Sequence, residues 1–131
     1  MENAALLKSH LELIAAAKAV IKETSIEEAR ALDSNAVVLD IREATEFANG
    51  HIPGARNVPR GLLEFNIHGV IAETCEDDNL ACKPIIVYCA SGGRSALAAH
   101  CLQSMGFTEV RSLAGGIAAW TAANLALQFP D

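Results

Sequence analysis

Aromatic side chains are scarce in this 131-residue chain: one Trp, one Tyr and four Phe stand against 24 alanines. A core with so few large rings must be packed closely from small and branched side chains. The hydrophobic fraction is nevertheless 51%, which excludes intrinsic disorder, and the length suits one domain and not two catalytic ones. An excess of positive charge is also missing. Ten Lys and Arg against 16 Asp and Glu leave a net charge of −6, which argues against a non-specific nucleic-acid binder or an anionic-membrane binder. An anionic substrate would need a local positive pocket. Apolar runs such as Leu13-Ile14-Ala15-Ala16-Ala17 fall far short of the roughly 18 residues that span a bilayer, so no transmembrane helix is expected. Glu2, Lys8, His10 and Glu12 interrupt what could be a secretory signal, and a cytoplasmic chain is expected. Cys75, Cys82, Cys89 and Cys101 form no C-x-x-C pair, so neither a disulfide framework nor, given the His and Cys spacing, a metal site is expected. Any special cysteine must be identified by its neighbours.

Residues 4 to 21 place Leu6, Leu7, Leu11, Leu13, Ile14, Ala17, Val20 and Ile21 on one half of a helical wheel, which predicts an amphipathic N-terminal helix over 1–20, ahead of a domain over 21–131. Its polar face is not enriched in Lys or Arg, so it suits packing on the domain or on a twin subunit in a homodimer better than a membrane surface. Ser25 followed by Glu28 fits a capping box and predicts a short helix over about 26–33, after a brief extended segment near Ile21 and ended by Asp33-Ser34-Asn35. Residues 36–39, 84–88 and 109–113 read as strands. The first two are nearly continuous apolar runs, as in strands covered on both faces. A helix from Arg94 to Met105 stops at Gly106, another begins near Gly116 and carries Trp120, and residues 66–83 read as a long connection with one helical turn. Strands alternating with helices imply an α/β domain with a parallel sheet, helices on both faces and right-handed crossovers.

The chemistry concentrates in residues 85–95, Ile-Ile-Val-Tyr-Cys-Ala-Ser-Gly-Gly-Arg-Ser. A buried strand ends at Cys89, passes through a Gly-rich loop and enters a helix near Arg94, placing Cys89 at the carboxyl end of a parallel strand, where open α/β sheets build their sites. Gly92 and Gly93 let the chain curl so that the amides from Ala90 to Ser95 face inward as an anion nest. With Arg94 and the helix dipole, that nest should depress the thiol pKa and make Cys89 a thiolate nucleophile without an adjacent His. A strand-end cysteine can equally be a small core hydrophobe, and such a turn can bind only a phosphate or nothing.

Residues 38–58, Val-Leu-Asp-Ile-Arg-Glu-Ala-Thr-Glu-Phe-Ala-Asn-Gly-His-Ile-Pro-Gly-Ala-Arg-Asn-Val, together with the Cys89 loop and Leu113-Ala114-Gly115-Gly116-Ile117-Ala118-Ala119-Trp120, resemble the single-domain rhodanese family of sulfurtransferases. The resemblance covers about residues 20–123. It implies a rhodanese-like α/β fold: a central parallel five-stranded sheet flanked by helices, to which this chain adds an N-terminal helix. It also implies a cysteine cycling between thiolate and persulfide. Cys89 then matches the catalytic cysteine, and Ala90, Ser91, Gly92, Gly93 and Arg94, with Ser95 beyond them, match the cradle that binds the transferred sulfur. Arg94 matches the loop-closing arginine. Asp40 and Arg42 match an Asp-x-Arg motif whose ion pair is expected to brace the site, with Glu46 as further support. The partners implied are a small sulfur donor, thiosulfate or a persulfide, and a thiol, protein or cyanide acceptor, with no cofactor.

His51, before a Pro-Gly turn, reads as a hydrogen-bonded structural residue and not a general base. Trp120 reads as core. Cys101 lies about 10 Å along the helix axis from Arg94, too far for a disulfide at the site, and reads as buried packing. Cys75 and Cys82 sit in the irregular connection, where a role in resolving the persulfide stays open. A phosphatase or arsenate reductase of the Cys-x5-Arg type is the enzymatic rival, but its ring spans seven positions and Cys89 to Arg94 spans six. A rhodanese-like binding or regulatory module without turnover is the rival of another class. Members of the family that favour thiosulfate often carry a further basic residue in the loop, and Ala90-Ser91-Gly92-Gly93 has none.

Overall fold

A computed structural model describes residues 6–32, 35–75 and 79–130. Five strands, β1 (Lys22–Thr24), β2 (Val37–Asp40), β3 (Arg56–Asn57), β4 (Ile85–Tyr88) and β5 (Val110–Leu113), form one sheet in the order β1-β5-β4-β2-β3. Every pairing is parallel. The middle strand, β4, is buried along its whole length, as a strand covered on both faces must be. Side chains alternate across it. Ile85 and Val87 enter one core with Leu39, Val110, Leu63, Ile67, Ala98 and Leu102, whereas Ile86 and Tyr88 enter a second with Leu113, Ile26 and Ile117.

The helices are α1 (His10–Lys18), α2 (Ile26–Ala31), α3 (Ala44–Ala48), α4 (Leu63–Thr74), α5 (Gly93–Ser104) and α6 (Gly116–Ala122). Helices α4 and α5 supply the first core, and α2 and α6 the second, so the sheet is covered on both sides. Ser25 and Glu28 form the expected capping box, with Glu28 N–H donating to Ser25 Oγ over 3.1 Å. Asp33 and Ser34, the expected stop of α2, lie outside the described residues, as do Glu76, Asp77 and Asp78. Among the described residues no helix is long and apolar enough to cross a membrane.

Two expectations are corrected. Residues 66–74 are not an irregular connection but the greater part of the twelve-residue α4. Its buried stripe, Leu63, Ile67 and Ile71, is one residue wide and recurs every fourth position, and exposed Phe65 and a mid-helix Gly69 blur that period. The N-terminal helix is shorter than its pattern predicts. Ser9 caps it and pairs reciprocally with Glu12, so helix begins at His10, and Leu6 and Leu7 precede it. Only Ala17 is buried and Ile14 half-buried, while Leu11 and Leu13 face outward. Helix α1 nevertheless packs on α5, with Ile14 against Gly93.

Candidate active site

Strand β4 carries the chain to Cys89, which is only 1% exposed. Gly92 then adopts φ +111°, a conformation other residues take at a cost, and turns the chain into α5. The turn folds back on the sulfur. Gly92 N–H donates to Cys89 Sγ over 3.1 Å and Ser95 N–H over 3.4 Å, and the Ser95 hydroxyl lies 3.5 Å away. Burial opposes ionisation of Cys89, but the Ser95 hydroxyl and amide, with the Gly92 and Ser91 amides, outweigh it and hold the thiol below its ordinary pKa. The nest is therefore narrower than the whole run from Ala90 to Ser95.

The carbonyls of Cys89 and Ala90 are taken up by α6. Ile117 N–H donates to Cys89 O over 3.0 Å and Ala118 N–H to Ala90 O over 3.1 Å. The start of α6 thus clamps the strand end by its carbonyls. Gly116, at φ +58°, passes so close that a Cβ there would stand 2.4 Å from Cys89 O and 2.6 Å from Ala90 O, which only glycine permits. The Gly115-Gly116 pair in the sequence was the signal for this clamp, although nothing local connected it with Cys89.

Arg94 does not touch the sulfur. Its guanidinium makes two bonds to Glu46, of 2.9 and 3.0 Å, at the partly exposed rim. It closes the turn by tying α5 to α3. Hydrogen bonding from Arg94 lowers the Glu46 pKa to about 2 against the opposing effect of burial. Arg94 in turn is raised, first by Glu46 and further by the field of Cys89, so its charge acts on the Cys89 sulfur through space.

Asp40 and Arg42 form a buried ion pair at 2.7 Å. Asp40 also accepts from Arg42 N–H at 2.9 Å and from Tyr88 O–H at 2.7 Å. Arg42 Nη2 donates to Gly50 O, and Tyr88 Oη accepts from Ile52 N–H. Burial works against the Arg42 charge, yet bonding and attraction to Asp40 raise its pKa above the ordinary value. Burial and the Asp40 bond raise Tyr88 likewise, keeping it a phenol. Neither Asp40 nor Arg42 meets Cys89. Their network grips Tyr88, the residue before it, and fastens residues 50–52 over the ends of β2 and β4. Asp40 and Tyr88 lie side by side in the sheet register, a contact 48 positions apart in sequence that residue spacing could not reveal.

His51 is 4% exposed, stacks on Phe47 at 3.7 Å, and its Nδ1 lies 3.1 Å from Phe47 O, away from the sulfur. Trp120 stands at the edge of the second core and donates to Ala126 O. Cys101 is half-buried beside Glu64 and Arg60, not fully packed away, and its pKa is raised by burial and then by Glu64. Cys75 and Cys82 share a cavity with Lys83 and Pro84, at the start of β4. The extended run from Lys83 to Cys89 covers about 20 Å. Neither can reach Cys89 within one chain, which removes the resolving role left open by the sequence. Among the described residues no three His, Cys, Asp or Glu side chains gather to hold a metal ion.

Comparison with known proteins bears on this arrangement. The family model described as "Rhodanese-like domain" matches residues 25–123. Thiosulfate sulfurtransferase GlpE of Ectopseudomonas mendocina is 41% identical over 102 residues, covering 77% of this chain and 85% of that protein. A Rhodopseudomonas palustris structure, described as of unknown function and a possible tyrosine phosphatase, superposes with a TM-score of 0.77 at 32% identity over 92% of this chain and 95% of that one. A human single-domain sulfurtransferase superposes with a TM-score of 0.66 at 28% identity over 76% and 95%.

Proposed function

The chain belongs to the rhodanese-like sulfurtransferase family, and from that premise we propose that it transfers a sulfane sulfur from a donor such as thiosulfate to a thiol or cyanide acceptor through a persulfide on Cys89. In the first half-reaction the Cys89 thiolate attacks the outer sulfur of thiosulfate. The new S–S bond forms as the bond to the sulfonate sulfur breaks, and sulfite leaves with the electron pair. In the second, an acceptor thiolate or cyanide attacks the terminal sulfur, and Cys89 departs as thiolate. Negative charge sits on sulfur before and after each step, so preorganised donors stabilise it throughout. The observation that carries this reading is the convergence of the Gly92 and Ser95 amides and the Ser95 hydroxyl on Cys89 Sγ. Ser91 to Ser95 would hold the terminal sulfur, Arg94 would add charge from the rim, and Asp40 and Arg42 would keep the strand end in place.

A phosphatase reading, raised by the description of the Rhodopseudomonas protein, fits less well. The ring from Cys89 to Arg94 is one position shorter than a tetrahedral oxyanion needs, and a phosphate would compete with Glu46 for the Arg94 guanidinium. Mass spectrometry after incubation with thiosulfate tests the proposal: wild type should gain one sulfur atom and Cys89→Ser none. Turnover of p-nitrophenyl phosphate that disappears in Cys89→Ser would favour the phosphatase instead, and silence in both assays would leave a binding module.

A further inference from the structure

Behind the Cys89 turn lies a second hydroxyl. Ser112, on β5, is fully buried, and its Oγ is 2.9 Å from Ser95 Oγ. Ser95 is also fully buried and lies 3.5 Å from Cys89 Sγ. The three atoms form a short chain, sulfur to hydroxyl to hydroxyl, whose two hydroxyls are closed to solvent. Ser112 does not approach the sulfur itself. It stands beside Val87 in the sheet register, two residues before Cys89, so its position is set by the same strand that delivers the nucleophile.

A serine hydroxyl has one proton and can aim it in only one direction. With Cys89 protonated, the thiol S–H donates to Ser95 Oγ and Ser95 donates on to Ser112. Once Cys89 is a thiolate it can only accept, and Ser95 must turn its proton towards the sulfur. That leaves the fully buried Ser95 oxygen needing a donor. Ser112 is placed to supply one, with its own O–H directed at Ser95 Oγ. Neither hydroxyl loses its proton; the pair only reverses direction, and the thiol proton goes to solvent. We propose that Ser112 is a positioning residue of the reaction, a donor behind Ser95 that fixes the Ser95 hydroxyl on the Cys89 thiolate. The inference rests on the reading of Cys89 as the reacting thiolate. The Ser95 hydroxyl is the foremost cause lowering the Cys89 pKa, which agrees with the geometry, and hydrogen bonds in series polarise one another in such a site.

A merely structural Ser112, stapling β5 to α5, would cost stability without moving the thiol's titration. The test is therefore the pH dependence of Cys89 alkylation by iodoacetamide in the full chain, read at Cys89 by mass spectrometry. Wild type, Ser112→Ala, Ser95→Ala and the double variant are compared. The double variant removes both partners and strands no polar group. Ser112→Ala should raise the midpoint by about half a pH unit, a roughly threefold loss of thiolate below the midpoint that vanishes well above it. In the Ser95→Ala background the same change should add nothing, because Ser112 acts only through Ser95. An unmoved midpoint in Ser112→Ala, or an equal shift in both backgrounds, would overturn the proposal. Sulfur loading of wild type by thiosulfate is scored separately, so a chain that titrates as described but gains no sulfur contradicts the proposed function and leaves the hydroxyl chain supported.

Discussion

Cys89 and Cys101 stand twelve residues apart, one at the turn into α5 and the other inside that helix, and their environments push them in opposite directions. Cys89 is almost completely buried and Cys101 only half so, yet the thiol of the more buried residue is lowered and that of the other raised. Desolvation opposes ionisation at both. The difference lies in what else each sulfur meets: amides and a hydroxyl at Cys89, a carboxylate at Cys101. In a helix interior the backbone N–H groups are already spent on carbonyls a turn earlier, whereas at the helix start they are free to donate. The direction of each thiol's pKa follows the supply of uncommitted donors, not exposure.

The largest effect that would break this comparison is expected from Gly116→Ala. The added Cβ would collide with the carbonyls of Cys89 and Ala90 and displace the amides that follow them, and sulfur transfer should fall roughly 100-fold, the cost of small misplacement at a preorganised centre. Gly61→Ala, where a Cβ meets nothing within 4 Å, should leave the rate unchanged; steady-state kinetics of the two variants side by side checks both. Next comes Asp40→Asn. It strands Arg42 as a buried cation and should cost about 3 kcal/mol in denaturant unfolding, whereas Glu46→Gln, at the half-exposed rim, should cost under about 1 kcal/mol. Smallest is Arg94→Ala. With charge acting only through space and the amides untouched, turnover should fall about three- to tenfold, and an unchanged rate would mean that the backbone donors suffice.

What could be read from the residues alone follows how local each signal was. Strands β2, β4 and β5, the Ser25 cap, the stop at Gly106 and the strand–turn–helix around Cys89 each lie within a short stretch of chain and were legible. Strand β1 was legible only as a brief extended segment near Ile21, and β3 was not legible: three and two residues long and largely exposed, they are strands only because a neighbour supplies the ladder. Residue pattern alone proposes three strands beyond the extended segment near Ile21, and the family resemblance supplied the count of five. Helix α4 was lost to Phe65 and Gly69. At the site, the Cys89 turn was visible, but its supports were not. Tyr88 on Asp40, Gly116 on the Cys89 carbonyl and Ser112 behind Ser95 are contacts made by sheet register and helix docking, and no run of residues encodes them locally. Arg94 lies where the turn enters α5, and its partner is Glu46 and not the sulfur.

The decisive measurement is a titration of Cys89 and Cys101 in the same full-length sample, following each thiol's alkylation rate against pH. Only the thiolate reacts, so each rate is lost as pH falls through that thiol's own pKa. Loss should come below the ordinary cysteine range at Cys89 and above it at Cys101. A Cys89 that loses reactivity at or above the pH of Cys101 would contradict the claim that the turn's donors govern the nucleophile.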